Sequence, residues 1–88
     1  MKRFSVTVNK IEDGILHVRS AGLIMKEAAQ FASDIKISKN GKAINGKDIL
    51  DWMGLKITVG DVLTVSIEGP DEEAAAGSFE KFLNGQFA

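Results

Sequence analysis

Near its start the chain alternates, with Phe4, Val6 and Val8 apolar and Ser5 and Thr7 polar. A period of two predicts a half-buried β-strand. The run "NKIEDG" at 9–14 breaks the alternation as a loop. From position 21 the spacing changes, and Ala21, Ile24, Met25, Ala28, Phe31 and Ala32 recur at i, i+3, i+4 and i+7. This predicts one apolar face of a helix of about four turns. "DIKISKNGKAIN" then reads as a hairpin. Ile35 and Ile37 point one way, Asn40-Gly41 supplies the two positive-φ residues of a type I′ turn, and Ala43-Ile44 return.

Within "KDILDWMGL", Asp48 is placed to cap a short helix over Ile49 to Met53, and Gly54 to end it. "DVLTVSIEG" is the clearest strand, with Leu63, Val65 and Ile67 on one face and Val62, Thr64 and Ser66 on the other. "PDEEAAAGSFEKFLNG" is the clearest helix. Pro70 and the acids at 71–73 suit its N-terminus, and Ala75, Ala76, Phe79, Phe82 and Leu83 form its stripe. Gly85 is the expected stop. The predicted order is βαββαβα. Such a pattern implies an α+β fold, an open-faced sandwich with a four-stranded antiparallel sheet and three helices on one face.

Composition narrows the class. At 88 residues a single domain spanning 1–88 is expected. With 44% hydrophobic and 26% charged residues the chain reads as an ordinary globular domain. There is no cysteine and only one histidine, so neither a disulfide framework nor a metal site is expected. The net charge is −1, with basic residues scattered, and Thr64 and Ser66 stand where a nucleic-acid-binding sheet would carry stacking aromatics. Nucleic acid is therefore not an expected partner. No apolar run approaches the roughly 18 residues of a membrane span, so no membrane insertion is expected, and a cytoplasmic location is.

The single histidine lies in "GILHVRSAGL", at the junction of the first loop and the first helix. Helix-start N–H groups at Val18, Arg19 and Ser20 would carry the positive end of the helix dipole, which suits a phosphate. Arg19 adds a guanidinium able to hold two phosphate oxygens at once. Imidazole, with an ordinary pKa of about 6.5, is a nucleophile near neutral pH. Together these parts describe a phosphoryl acceptor. A lone histidine beside a helix start is more often a solvated polar residue, and position alone leaves both readings open.

"GILHVRSA" resembles the G-L-H-x-R-P-A active-site signature of the HPr family, the histidine-containing phosphocarriers of the bacterial sugar phosphotransferase system. The resemblance covers nearly the whole chain, through "KEAAQF", the "NGK" of the hairpin, "GLKITVGDVLTVSIEG" and "DEEAAAGSFEKF". It implies the HPr-like βαββαβα sandwich. It also implies that His17 takes phosphate from phosphorylated enzyme I and passes it to a sugar-specific enzyme IIA, with Arg19 beside the phosphoryl group. The resemblance calls for no cofactor and is met by a monomer. Docking would fall on Leu23, Ile49, Leu50 and Met53, with Lys26 matching a basic position that faces acidic partners. A short helix leaves some of its apolar residues outside, and we expect Trp52 and Leu55 to be the inward ones.

Three departures from the family pattern stand out. The motif's proline is Ser20, which returns an N–H to the first turn. One extra residue sits before the histidine in "IEDGILH". The serine that HPr kinase modifies in many relatives falls on Asp48, for which helix capping is the simpler role. These departures leave an alternative, an HPr-like regulatory paralogue that binds a transcription factor or enzyme and transfers phosphate poorly. His17 argues against it, since a purely regulatory member could dispense with that residue.

Overall fold

The computed structural model describes residues 1–11 and 14–87. Among them the predicted order holds. It runs β1 (Lys2–Thr7), α1 (Val18–Ala28), β2 (Asp34–Lys39), β3 (Lys42–Asn45), α2 (Ile49–Gly54), β4 (Val62–Glu68) and α3 (Glu72–Phe87). The strands form one sheet in the order β1-β4-β2-β3, and each neighbouring pair is antiparallel. Alternation assigns the faces. Val6, Ile35, Ile37, Ile44, Leu63, Val65 and Ile67 are buried against the helices, while Ser5, Thr7, Thr64 and Ser66 lie on the open side. Each Val, Leu or Ile side chain buried in this way contributes about 1.5–3 kcal/mol.

The hairpin turn forms as its sequence predicts, with Asn40 at φ 51° and Gly41 at φ 83°. Asp48 caps α2, its Oδ1 accepting the Leu50 N–H at 2.9 Å and the Asp51 N–H at 3.1 Å. Trp52 and Leu55 are buried, as expected. The indole N–H of Trp52 donates to the Gly46 carbonyl at 2.7 Å, so burial leaves no polar atom of the ring unmatched.

Three helix ends differ from expectation. α1 stops at Ala28, about a turn before Ala32. Beyond it the Ala32 and Ser33 N–H groups donate to the Asp71 carboxylate, each at 2.9 Å. Phe31 still packs on the core, but from a turn, which is why the apolar spacing outlasts the helix. Gly54 is the last residue of α2 rather than its stop. Burial of Leu55 keeps that residue helical, and the left-handed exit falls on Lys56 at φ 52°. α3 runs through Gly85 to Phe87. The buried Phe87 ring and its carbonyl, which accepts the Asn9 and Lys10 N–H groups at 2.8 and 3.0 Å, outweigh the roughly 1 kcal/mol that a helical glycine costs.

Candidate functional site

His17 is placed by the residue before it. Leu16 is buried, and its N–H donates to the Ile57 carbonyl at 3.0 Å, while Ile15 bridges Thr58. With Leu16 fixed inward, the chain turns out, and His17 is the exposed N-cap of α1 with extended backbone (φ −88°, ψ 160°). The first intrahelical bond runs from the Ala21 N–H to the His17 carbonyl at 2.9 Å. The Val18, Arg19 and Ser20 N–H groups therefore precede the helical ladder and bear the positive end of its dipole. Arg19 and Val18 are exposed. Ser20 is half-buried and lines a shallow depression of about 380 Å³ with Lys10, Ile11, Leu16, Gln86 and Phe87. The additional residue noted in "IEDGILH" concerns a stretch in which Glu12 and Asp13 lie outside the described residues.

α1 has a clear outer stripe. Arg19, Leu23 and Lys26 recur at i, i+4 and i+7 and are exposed, whereas Ala21, Ile24 and Ala28 are buried. The stripe runs away from His17 along the helix. Gly22 faces α2 closely enough that a Cβ there would lie 3.5 Å from Ile49 Cδ1. The expected docking residues thus lie on neighbouring elements, but they are not equally presented. Leu50 is 79% exposed and Leu23 50%, while Ile49 and Met53 are half-buried and pack partly on the core. Asp48 is exposed at the start of α2, immediately before Ile49.

The structure adds apolar residues that sequence reasoning did not select. Ile15 (45% exposed) and Val59 (51% exposed) belong to the two segments that the Ile15–Thr58 bridge brings together beside His17, and Val18, expected at the site only for its N–H, is itself 62% exposed. Their stretches have no helical or strand periodicity, so no pattern separates the outward Ile15 from the inward Leu16. Among the described residues no group of three or more His, Cys, Asp or Glu is arranged to hold a metal ion. No helix among them is long and apolar enough to cross a membrane.

Comparison with known proteins bears on the same residues. The family model for the PTS HPr component phosphorylation site matches residues 3–85. The phosphocarrier protein HPr of Buchnera aphidicola subsp. Baizongia pistaciae is 40% identical over 68 residues, 77% of this chain and 80% of its own. The crystal structure of HPr-C-His from Thermoanaerobacter tengcongensis superimposes with a TM-score of 0.88 at 32% identity, covering 99% of this chain and 96% of that one. The Bacillus subtilis catabolite repression protein Crh, described as a dimer with a swapped domain, gives 0.75 at 30% identity over 100% and 99% of the two chains. By the extent of these matches and by its four-stranded open-faced sandwich, the chain belongs to the HPr family of phosphotransferase-system phosphocarrier proteins.

Proposed function

We propose that the chain is a cytoplasmic phosphocarrier, a single HPr-like domain that accepts a phosphoryl group on His17 from phosphorylated enzyme I and delivers it to an enzyme IIA. The carrying observation is the exposure of His17 at the N-cap of α1 with Arg19 in the following turn. A ring nitrogen of His17 forms the new N–P bond as the bond between phosphorus and enzyme I breaks and the donor keeps its electron pair. The helix end and Arg19 stabilise the anion without burying it, which suits a group that must be passed on. Leu23, Leu50 and the outer parts of Ile49 and Met53 form the docking surface, with Lys26 meeting acidic partner groups. We read the carrier as acting as a monomer, whereas the similar Crh structure is described as a dimer.

Incubation with phosphoenolpyruvate and enzyme I tests this by intact mass, which should show a gain of one phosphoryl group. Protonation of a phosphorylated imidazole makes it a better leaving group, so the label should survive alkali and be lost in acid. An acid-stable label, as on serine, overturns the assignment. Absence of any label with active enzyme I favours the regulatory reading, to which the likeness to Crh and the residue at position 48 point.

Asp48 yields a second expectation. Its carboxylate suits the cap of α2, yet it sets a permanent negative charge beside Ile49 and Leu50, where an acidic partner surface would arrive. One carboxylate carries less charge than a phosphate at about −1.5 to −2, so the penalty should be partial. Asp48→Ser and Asp48→Asn, which both keep a capping oxygen, should bind enzyme I more tightly by a factor that shrinks as salt rises. Unchanged or weaker binding of both at low salt makes Asp48 a helix cap only.

A further inference from the structure

Lys39 ends β2 and would pass for a solvated strand lysine, but its side chain is only 14% exposed. Its ammonium donates to the Leu55 carbonyl at 2.8 Å and the Lys56 carbonyl at 2.9 Å, and pairs with Asp61 Oδ2 at 2.9 Å. An ammonium has three donors, so all of them are committed to one loop. The same Asp61 oxygen accepts the Thr58 N–H at 2.8 Å. One ion pair thus grips the loop of residues 55–61 at three backbone points. The Lys39 ammonium and the Thr58 N–H together hold the Asp61 carboxyl below its ordinary range.

What this loop holds in turn is the start of α1. Lys56 sits at φ 52°, a left-handed conformation that a residue with a side chain keeps only where its surroundings impose it. Its carbonyl is one of the two that Lys39 binds. The next residue, Ile57, is fully buried and accepts the Leu16 N–H, and Thr58 bridges Ile15. Leu16 immediately precedes His17. We infer that Lys39, through its clamp with Asp61, positions His17 for phosphoryl transfer from the opposite side of the 55–61 loop.

Lys39 is a positioning residue, since it acts on the reacting ring only through the loop. The kinetic consequence rests on the phosphocarrier reading, whereas the mechanical link from Lys39 to Leu16 does not. Without the ammonium, the Leu55 and Lys56 carbonyls lose their donor and Asp61 its counter-charge. Lys56 is then free to leave the left-handed region, and the Ile57 carbonyl moves with it. Displacements of about 1 Å are enough to slow a positioned reaction strongly.

The test uses Lys39→Met, which keeps the aliphatic stem, and Asp61→Asn, which keeps an acceptor for Thr58 but removes the charge. Asp71→Asn is the comparison, because it weakens a clamp of similar type beyond the opposite end of α1. Lys39→Met should raise hydrogen exchange at the Leu16 amide by about tenfold beyond any global change and shift the His17 ring resonances. Phosphorylation per folded molecule, measured well below the melting temperature, should slow by about 3- to 30-fold. Asp61→Asn should do the same to a lesser degree, and it decides alone if Lys39→Met does not fold. Asp71→Asn should lower the melting temperature while leaving all three readouts unchanged. Leu16 exchange and His17 resonances that stay unchanged in the folded variants overturn the inference, as does an Asp71→Asn variant that reproduces the changes. If wild type takes no phosphate, the carrier reading fails, while the exchange and ring resonances still decide the clamp.

Discussion

His17→Ala should abolish phosphoryl acceptance, and Arg19→Ala should slow it by about 10- to 100-fold. The first substitution removes the proposed nucleophile, and the sequence offers no second histidine to replace it. The second removes a guanidinium from the exposed first turn of α1, two residues beyond His17. A hydrogen bond to a charged group contributes about 1.5–3 kcal/mol, and the stated range follows if Arg19 holds the phosphoryl oxygens fully in the transition state. Ser20→Pro should have a smaller effect. Ser20 lies in the first turn, where an N–H has no intrahelical acceptor, so proline costs the helix no bond. It forfeits one of three helix-start N–H groups but leaves the Arg19 charge and matches the family motif. Time-resolved intact mass with enzyme I separates the three variants. A rate for Arg19→Ala equal to wild type removes Arg19 from the site.

What the sequence made legible here was local. The type I′ turn at Asn40-Gly41, the Asp48 cap and the inward choice of Trp52 and Leu55 each depend on residues within a few positions of one another. The His17 motif was legible for the same reason, as histidine, helix start and arginine are contiguous. Features set across the fold were not. α1 ends where Asp71, nearly forty positions away, draws off the Ala32 and Ser33 N–H groups. Gly85 does not stop α3 because the packing and backbone bonds of Phe87 override a weak local preference. Lys39 carries no pattern that distinguishes it from a surface lysine, since its partners lie 16 and 17 residues on, and further on at Asp61. The candidate nucleophile was therefore readable, while the scaffold that places it was readable only in three dimensions.

Gly69→Ala should lower the melting temperature by about 10–30 °C. Gly69 has φ 154°, which L side chains rarely adopt, and a Cβ there would lie 2.6 Å from Ser33 Cα and 2.7 Å from its Oγ. Ser33 cannot readily yield. It is fully buried, and its N–H and hydroxyl both donate to the Asp71 carboxylate, which also accepts the Ala32 N–H. The Gly69 N–H is itself held by Glu72 at 3.1 Å. Overpacking together with backbone strain should cost about 2–5 kcal/mol, a large part of the roughly 5–15 kcal/mol that stabilises a domain. The same cluster sets an acid limit. The Ser33 hydroxyl first, then the Ala32 N–H, holds the Asp71 carboxyl below its ordinary 3.8. A carboxyl lowered on folding stabilises fully above its unfolded value, and that contribution fades as pH falls through the lower folded value. Asp71→Asn should therefore be less stable than wild type at neutral pH and decline less steeply below about pH 4. Glu72, lowered by the chain's N-terminal amine, keeps part of the acid dependence in place. Because His17 lies at the other end of α1, Gly69→Ala should still accept phosphate at the wild-type rate per folded molecule when assayed in the cold. A melting temperature within a few degrees of wild type shows that the Ser33 turn gives way, and the close approach is then not what requires glycine at position 69.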